Sequence, residues 1–379
     1  MLTAHQHQLK TQVFTAINNN QLSAAHQLLV KQLQYDATDH FCYYLLAEVN
    51  IAAGDSYKAI QLIEKALTLN NHPLYVLHLS KLMILKGDVT LATSYYQEAI
   101  KYQGYGPLEW DTLANIATRL GDYKHALAWQ KIAYEAAPTH PKINYNLAIA
   151  YKINGQLDHA KTLLLALIKR EPSYLQAHYS LAELNTSTEA KTHITELKKR
   201  LSSSLTATEQ QMIYHSLALN HEHIGDYEQA FSYFRDSKLA IKHQVNYEAS
   251  KHQIFCQQLI ALSEKIQLTA KNADFSPIFV MGMPRSGTTL VEKIINQSTE
   301  VTGLGELNDI AQLLQSTAAS KHVLDIRMIE QAFQKFTLDN PLNGYQSRCE
   351  GMMTSPRSCD KQPFNFYFIE LFNIILLYK

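Results

Sequence analysis

The chain has 379 residues, which is enough for two or three domains at about 150 residues per domain. Lys plus Arg number 34 and Asp plus Glu number 34, so the formal net charge is zero and bulk charge does not indicate a nucleic-acid-binding or membrane-surface protein. A hydrophobic content of 46% and a charged content of 18% are typical of a globular protein and exclude a disordered chain.

The cysteines and the apolar segments indicate the cellular compartment in which the protein resides. The N-terminal sequence MLTAHQHQLKTQVF lacks the apolar core of a signal peptide, and the longest apolar run, 364–378, is too short and too polar to span a bilayer. No CxxC pair occurs among the four cysteines, which are Cys42, Cys256, Cys349 and Cys359. We therefore expect a cytoplasmic protein with no disulfide framework, no metal site, no nucleic-acid partner and no membrane span.

A glycine followed five residues later by an alanine recurs through the first two-thirds of the chain. The spacings between successive glycines are 33, 34, 34 and 70 residues, the last of which is close to two periods. The pairs are Gly54 with Ala59, Gly87 with Ala92, Gly121 with Ala126, Gly155 with Ala160, and Gly225 with Ala230. A period near 34 residues predicts a repeat array whose units stack to bury their apolar faces.

Each repeat predicts two amphipathic helices of about 12 to 14 residues, because apolar residues recur at i, i+3, i+4 and i+7. Glycine at the turn permits a positive φ, the aspartate that often follows it can cap the next helix, and the small alanine lets two helices approach closely. Proline near the end of a unit stops the second helix. The stretch 186–208 fits poorly, and we interpret it as a degenerate unit with a longer connection.

The array resembles tetratricopeptide (TPR) repeats. The clearest copy, residues 107–140, has the family's residues at Trp110, Leu113, Ala114, Gly121, Tyr123, Ala126, Ala133 and Pro138. The resemblance implies an α-superhelix over residues 1–250, with a groove for a peptide or protein ligand.

A second pattern begins after a predicted connecting helix and linker at 251–276. Residues 277–281, PIFVM, have the composition of a strand and predict a buried parallel strand, the segment 282–287 carries two glycines, and helical spacing from Thr288 predicts a helix that begins there. A strand, a glycine-bearing loop and a helix together direct backbone N–H groups and the positive end of a helix dipole at an anion. Gly282 and Gly287 have Walker A spacing, but Thr288 stands where that motif has lysine and the cation moves to Arg285, which disfavours an NTPase or kinase.

The sequence GMPRSGTTL resembles the 5′-phosphosulfate loop of sulfotransferases that use 3′-phosphoadenosine 5′-phosphosulfate (PAPS). In its arginine form it resembles TPR-linked bacterial sulfotransferases and, beyond them, tyrosylprotein sulfotransferases. The resemblance implies PAPS as co-substrate, without a metal. It places cofactor-binding roles on Arg285, Ser286, Gly287, Thr288, Thr289 and Leu290.

Two further segments resemble elements of that family. Residues 303–307, GLGEL, resemble its GEL element, which implies that Glu306 is the general base; a helix cap is the alternative. Residues 360–365, DKQPFN, resemble its D-K-x-P-x-N element, which implies that Lys361 contacts the transferring group together with Arg285; a solvated surface charge is the alternative.

The expected fold is mainly α, with a TPR superhelix followed by a partial α/β, P-loop-like sulfotransferase domain at 277–379. The family's later Arg and Ser, which bind the 3′-phosphate, have no counterpart here, so we expect a C-terminally truncated domain with little activity. Two hypotheses stay open. One is a sulfotransferase acting on a hydroxyl of protein tyrosine, polysaccharide or a small alcohol, and the other is a non-catalytic TPR scaffold with a relic domain.

Overall fold

The computed structural model describes residues 4–86, 88–201, 204–244, 247–264, 275–311 and 343–369, together with residue 314 and the stretches 326–327 and 329–331. The chain divides into two compact units, Met1–Asn246 and Tyr247–Lys379. Each unit has its own apolar core. None of the described helices is both long and apolar enough to cross a membrane.

The first unit is a succession of antiparallel helix pairs, as the period predicts. Its described helices are α1 Ala4–Asn18, α2 Leu22–Tyr35, α3 His40–Ala52, α4 Ser56–Leu69, α5 Pro73–Lys86, α6 Val89–Ala99, α7 Pro107–Arg119, α8 Tyr123–Ala136, α9 Pro141–Ile153, α10 Leu157–Arg170, α11 Leu175–Ala182, α12 Ser187–Lys198, α13 Ala207–His223 and α14 Tyr227–Ala240. The protein is thus mainly α, with an N-terminal array of TPR-like repeats.

The turns inside the pairs have the predicted chemistry. Positive φ values between 74° and 81° occur at Gly54, Gly121, Gly155 and Gly225, whereas Gly87 lies outside the described residues. After the turn, the side chains of Asp55, Asp122 and Asp226 accept hydrogen bonds from backbone amides three residues later, at the first turn of the following helix. The alanine five residues after each of these four glycines is at most 4% exposed, because two helices meet over it.

The poorly fitting stretch 186–208 contains helix α12, which begins with a capping box formed by Thr186 and Glu189. Helix α11, its partner in sequence, has only eight residues. The connection from α12 to α13 starts at Lys199 and ends at a second capping box, Thr206 with Glu209. The degenerate unit therefore has a short first helix, and both α11 and α12 pack against α13.

The second unit contains a small parallel sheet. Its described elements are helix α15 Ala249–Ser263, strand β1 Ile278–Phe279, helix α16 Thr288–Ile295, strand β2 Val301–Gly303, helix α17 Asn343–Met352, strand β3 Arg357–Asp360 and a 3₁₀ helix at Pro363–Phe368. The strand order is β1-β3-β2, and both pairings are parallel. The last strand in sequence therefore lies in the centre of the described sheet.

Strand β1 differs from the prediction of a buried strand over 277–281. Only Ile278 and Phe279 pair in register, with Cys359 and Asp360, and both are partly exposed. The Val280 amide still donates to the Asp360 carbonyl at 2.9 Å, and the chain then leaves the sheet. The strand is short because pairing with the four-residue β3 limits its length.

Helix α15 belongs to the core of this unit. Phe255 of α15 packs in one cluster with Leu307, Tyr345 and Phe368. The Tyr367 hydroxyl lies 3.1 Å from His252 Nε2 on the same helix. The segment expected to be a connecting helix thus contributes to packing, and residues 265–274 of the expected linker lie outside the described residues.

Candidate functional site

The carboxyl ends of the three parallel strands lie at one edge of the sheet, and the segments that follow them are joined by backbone hydrogen bonds. The Gly282 amide donates to the Pro363 carbonyl at 3.2 Å, and the Lys361 amide donates to the Gly305 carbonyl at 2.9 Å. In open α/β sheets, ligands bind in the crevice outside the carboxyl ends of the strands. This edge is therefore the candidate site.

The loop after β1 has an unusual backbone. Arg285 has a φ of 66° and Gly287 a φ of 95°, both in the left-handed region. A non-glycine residue there costs on the order of 1–2 kcal/mol, and such strain concentrates at functional sites. A side chain at Gly282 would bring its Cβ to 3.1 Å from Ser286 Oγ, so the glycine allows the loop to fold tightly against the strand end.

Helix α16 begins at this loop, as predicted, with Gly287 as its N-cap. In the part of the chain that the structure describes, the amides of Gly287, Thr288 and Thr289 have no protein acceptor. The Ser286 amide donates to the Met283 carbonyl at 3.2 Å and the Leu290 amide to the Gly287 carbonyl at 2.9 Å, so these two amides are already engaged. Three open amides at the positive end of a helix dipole form a local anion site.

Glu306 and Lys361 meet at the same edge. The Lys361 ammonium pairs with Glu306 Oε1, although the two residues are 55 positions apart. The Lys361 side chain is 6% exposed and that of Glu306 is 54% exposed. Lys361 is therefore not a solvated surface charge, and the Glu306 carboxylate binds an ammonium rather than capping the helical turn that begins at Asp309.

Arg285 lies on the neighbouring loop and is exposed to solvent. The structure therefore brings Glu306 and Lys361 into contact and places Arg285 and the open amides after the adjacent strand. The described contacts do not join Arg285 to the ion pair. The functional roles of these residues remain a prediction.

Two buried carboxyl groups support the site, and the sequence analysis did not identify them. Glu292 Oε1 accepts a hydrogen bond from the Gly305 amide at 3.0 Å, which links helix α16 to the segment that carries Glu306. Asp360, in β3 directly before Lys361, is fully buried and accepts from the Tyr345 hydroxyl at 2.9 Å. The sequence could have indicated that Glu292 is buried, because it lies four residues after Thr288 and three before Ile295 and therefore on the inner face of α16.

Burial perturbs the Asp360 carboxyl strongly. Desolvation raises the pKa of Asp360 to about 7, against the opposing effect of the hydrogen bond from Tyr345. Burial also raises the pKa of the Tyr345 phenol. Asp360 therefore titrates near neutrality, one residue before Lys361 in the chain.

Comparisons with known proteins find matches in both units. Residues 277–373 match the model of a sulfotransferase family. Residues 42–73 and 141–174 match the tetratricopeptide repeat model. The second unit is thus similar to a sulfotransferase family, and parts of the first unit are similar to tetratricopeptide repeats.

Relatives share parts of the chain. An uncharacterized protein of Aquifex aeolicus (strain VF5) is 26% identical over 262 residues, covering 65% of this chain and 33% of that protein. The TPR repeat-containing thioredoxin TTL4 of Arabidopsis thaliana is 36% identical over 70 residues, or 18% of this chain and 10% of that protein. The chain therefore spans at most a third of the length of these curated relatives.

Solved structures resemble the chain more distantly. A tetratricopeptide repeat protein from Parabacteroides merdae ATCC 43184 has 16% sequence identity and a TM-score of 0.43. The structural similarity covers 65% of this chain and 96% of the Parabacteroides merdae chain.

Proposed function

We propose that this protein is a PAPS-dependent sulfotransferase that moves a sulfuryl group to an acceptor hydroxyl. The observation that carries the proposal is the juxtaposition at one sheet edge of the open amides of Gly287, Thr288 and Thr289 with the Lys361–Glu306 pair. The match of residues 277–373 to a sulfotransferase family supports it. The same proposal includes a cytoplasmic location, a relation to bacterial and tyrosylprotein sulfotransferases, and activity of the whole protein. It also includes three domain limits, namely repeats at 1–250, a connecting helix and linker at 251–276, and the sulfotransferase domain at 277–379.

The donor end of the site suits a phosphosulfate anion. Backbone N–H groups at the start of α16 and the exposed Arg285 supply positive potential, and the hydroxyls of Ser286, Thr288 and Thr289 supply further donors. Leu290 would contribute packing, because its amide is already bonded within the helix. No residue in this set is a carboxylate, so an anionic donor meets no like charge there.

The acceptor end of the site suits proton removal. Glu306 takes the proton of the acceptor hydroxyl while Lys361 holds its other carboxylate oxygen in place. A bond forms between the acceptor oxygen and sulfur as the bond from sulfur to the bridging oxygen breaks, and the electron pair leaves with the phosphate. Arg285 and Lys361 neutralise the charge that develops there, so catalysis rests on positioning and electrostatic stabilisation.

The repeats support a scaffold role alongside or instead of catalysis. Tetratricopeptide matches fall in the first unit, and we propose that its groove binds a peptide or protein, which can also be the acceptor, with protein tyrosine as one candidate. A non-catalytic scaffold is the competing function. It requires repeats that bind a partner and a second unit that does not bind PAPS.

The test is a calorimetric titration of the whole chain with PAPS and with adenosine 3′,5′-bisphosphate. Arg285→Ala should weaken PAPS binding by about 10- to 100-fold, because a charge-assisted hydrogen bond contributes about 1.5–3 kcal/mol. The matched control is Lys293→Ala, which removes an exposed cation from the last turn of helix α16, away from the loop that carries Arg285. This variant should change PAPS affinity less than twofold.

Glu306→Gln should keep PAPS affinity while lowering the sulfation rate of a hydroxyl acceptor at least 100-fold, as expected for a general base. Because little activity is expected of this chain, the rate is measured in a single turnover with the protein in excess. Absence of PAPS binding to the unmodified chain would favour the scaffold. Equal losses in Arg285→Ala and Lys293→Ala would show that the loop is not the donor site.

A further inference from the structure

A cavity of about 300 Å³ lies in the second unit beside the Lys361–Glu306 pair. Its walls are chiefly the rings of Phe364, Tyr367 and Phe368 and the amide side chains of Asn308, Gln362 and Asn365. This volume is at the lower end of the range for small-molecule sites, about 300–1,000 Å³. The lining residues in the described part of the second unit are all uncharged, so the cavity has the character of an apolar pocket with a few polar groups.

The cavity and the ion pair are built from the same two segments. Lys361 pairs with Glu306, and the next residue, Gln362, donates from Nε2 to Asn308 Oδ1 at 2.8 Å. Two side-chain contacts, one at the ion pair and one in the cavity wall, therefore add to the backbone bond from Lys361 to Gly305 in joining the segment after β2 to the segment after β3. The cavity wall thus adjoins the segments that carry the ion pair, because Gln362 directly follows Lys361 and Asn308 lies two residues after Glu306, although neither member of the pair is among the described lining residues.

Asn365 gives the cavity a polar group that lacks a partner. The residue is 2% exposed, and its Nδ2 donates to no acceptor in the described part of the protein. A buried donor without an acceptor costs about 1–3 kcal/mol, so structures normally provide one. An oxygen atom on a bound molecule would satisfy this donor.

The aromatic wall is fixed in place before any ligand binds. The Tyr367 hydroxyl lies 3.1 Å from His252 Nε2, and the rings of Phe364 and Tyr367 are nearly parallel, 5° apart, with centroids separated by 6.3 Å. Phe364 is nevertheless 51% exposed, so a ring-bearing ligand can cover its face. Rigid aromatic walls bind flat apolar bodies with little loss of side-chain entropy.

We infer that this cavity holds the body of the acceptor, and that the acceptor is an uncharged alcohol with a largely apolar, ring-containing body and a second oxygen atom that accepts from Asn365. The inference rests on the proposed function and narrows its substrate class. The acceptor hydroxyl gives its proton to Glu306 as its oxygen bonds to sulfur, and the leaving phosphate of the sulfuryl donor takes the electron pair of the broken bond. An anionic sugar should bind poorly, because the lining residues that the structure describes include no cation.

The probe is 6-methoxy-2-naphthol, a neutral aromatic alcohol with a second oxygen atom, and binding to the whole chain is measured by ligand-detected NMR titration. Phe364→Ala and Asn365→Asp should each weaken binding at least threefold. Ile369→Ala, which removes an exposed apolar side chain next to the cavity but outside its lining, should change it less than twofold. Because Phe364 is half-exposed, its variant should fold even where the Asn365 variant does not.

Equal affinity for all four proteins would overturn the inference, as would binding of glucuronic acid in preference to the naphthol. Adenosine 3′,5′-bisphosphate separates this result from the proposed function, since Phe364→Ala should leave its affinity within twofold. If the nucleotide fails to bind the unmodified chain while naphthol binding still depends on Phe364, the proposed function is contradicted. The same result would still support the cavity as a binding site for neutral aromatic alcohols.

Discussion

Asp360→Asn should stabilise the second unit above neutral pH. Asp360 is fully buried in β3, and desolvation raises its pKa to about 7, whereas an ordinary aspartate titrates near 3.9. Between about pH 4 and pH 7 the folded protein keeps this proton and the unfolded chain has released it. The free energy of unfolding therefore decreases as pH rises through this window.

The size of the effect follows from the shift. Three pH units at about 1.36 kcal/mol each give a ceiling of about 4 kcal/mol. Asparagine cannot titrate, and its side-chain oxygen can still accept from the Tyr345 hydroxyl, which lies 2.9 Å from Asp360 Oδ2. We expect the variant to match the unmodified protein near pH 4 and to exceed its stability by about 2–4 kcal/mol at pH 8.

Thiol labelling in urea measures this quantity in the second unit alone. Cys349 and Cys359 are fully buried, so their alkylation, followed by peptide mass spectrometry, reports the opening of this unit. Glu350→Gln, on the exposed face of α17, is the control for loss of a carboxylate. A urea midpoint of the unmodified protein that stays constant or rises from pH 5 to pH 8 would refute the reasoning, as would an Asn variant that is less stable at pH 8.

Two predictions concern the repeats. Gly121→Val should lower the free energy of unfolding by about 1–3 kcal/mol, because φ is 81° at this position. The loss would come from backbone strain alone, since an added Cβ would meet no atom within 4 Å. Urea unfolding followed by the fluorescence of Trp129 measures this loss, and an unchanged urea midpoint would contradict the prediction. Burial lowers the pKa of His193 to about 4 in the folded protein, whereas the histidine of an unfolded chain titrates near 6.5. As pH falls, the unfolded chain therefore takes up a proton at His193 at a higher pH than the folded protein does. The first unit should therefore lose up to about 3 kcal/mol between pH 6.5 and pH 4, and His193→Gln should flatten that slope in the same fluorescence assay.

The repeats were predictable because their signals are local. A turn that needs a positive φ selects glycine, and the aspartate after it bonds to an amide three residues later, so Gly121 and Asp122 carry their structure within a few residues. The same holds for the loop before α16, where Gly287 both takes a positive φ and begins the helix. Such features follow from backbone sterics and capping without knowledge of the rest of the fold.

The supporting parts of the site were not predictable, because they depend on the order of the strands. β3 is last in sequence but lies between β1 and β2, and this order brings Lys361 to Glu306 across 55 positions. The hydrogen bonds of Glu292 to Gly305 and of Tyr345 to Asp360 each join a helix to the strand region that follows it, so they depend on how that helix packs against the sheet. The length of β1 also depends on how far β3 extends, which the composition of residues 277–281 does not reveal.

The central claim is that the first turn of α16 binds the phosphosulfate end of PAPS, and amide NMR tests it most directly. With the chain labelled at glycine, serine and threonine nitrogen, PAPS should shift the amide resonances of Gly287, Thr288 and Thr289, which have no acceptor in the described part of the protein. The Ser286 amide should move less, because it already donates to Met283. Shifts that are largest at other glycines and threonines, with residues 287–289 unchanged at saturating PAPS, would contradict the claim.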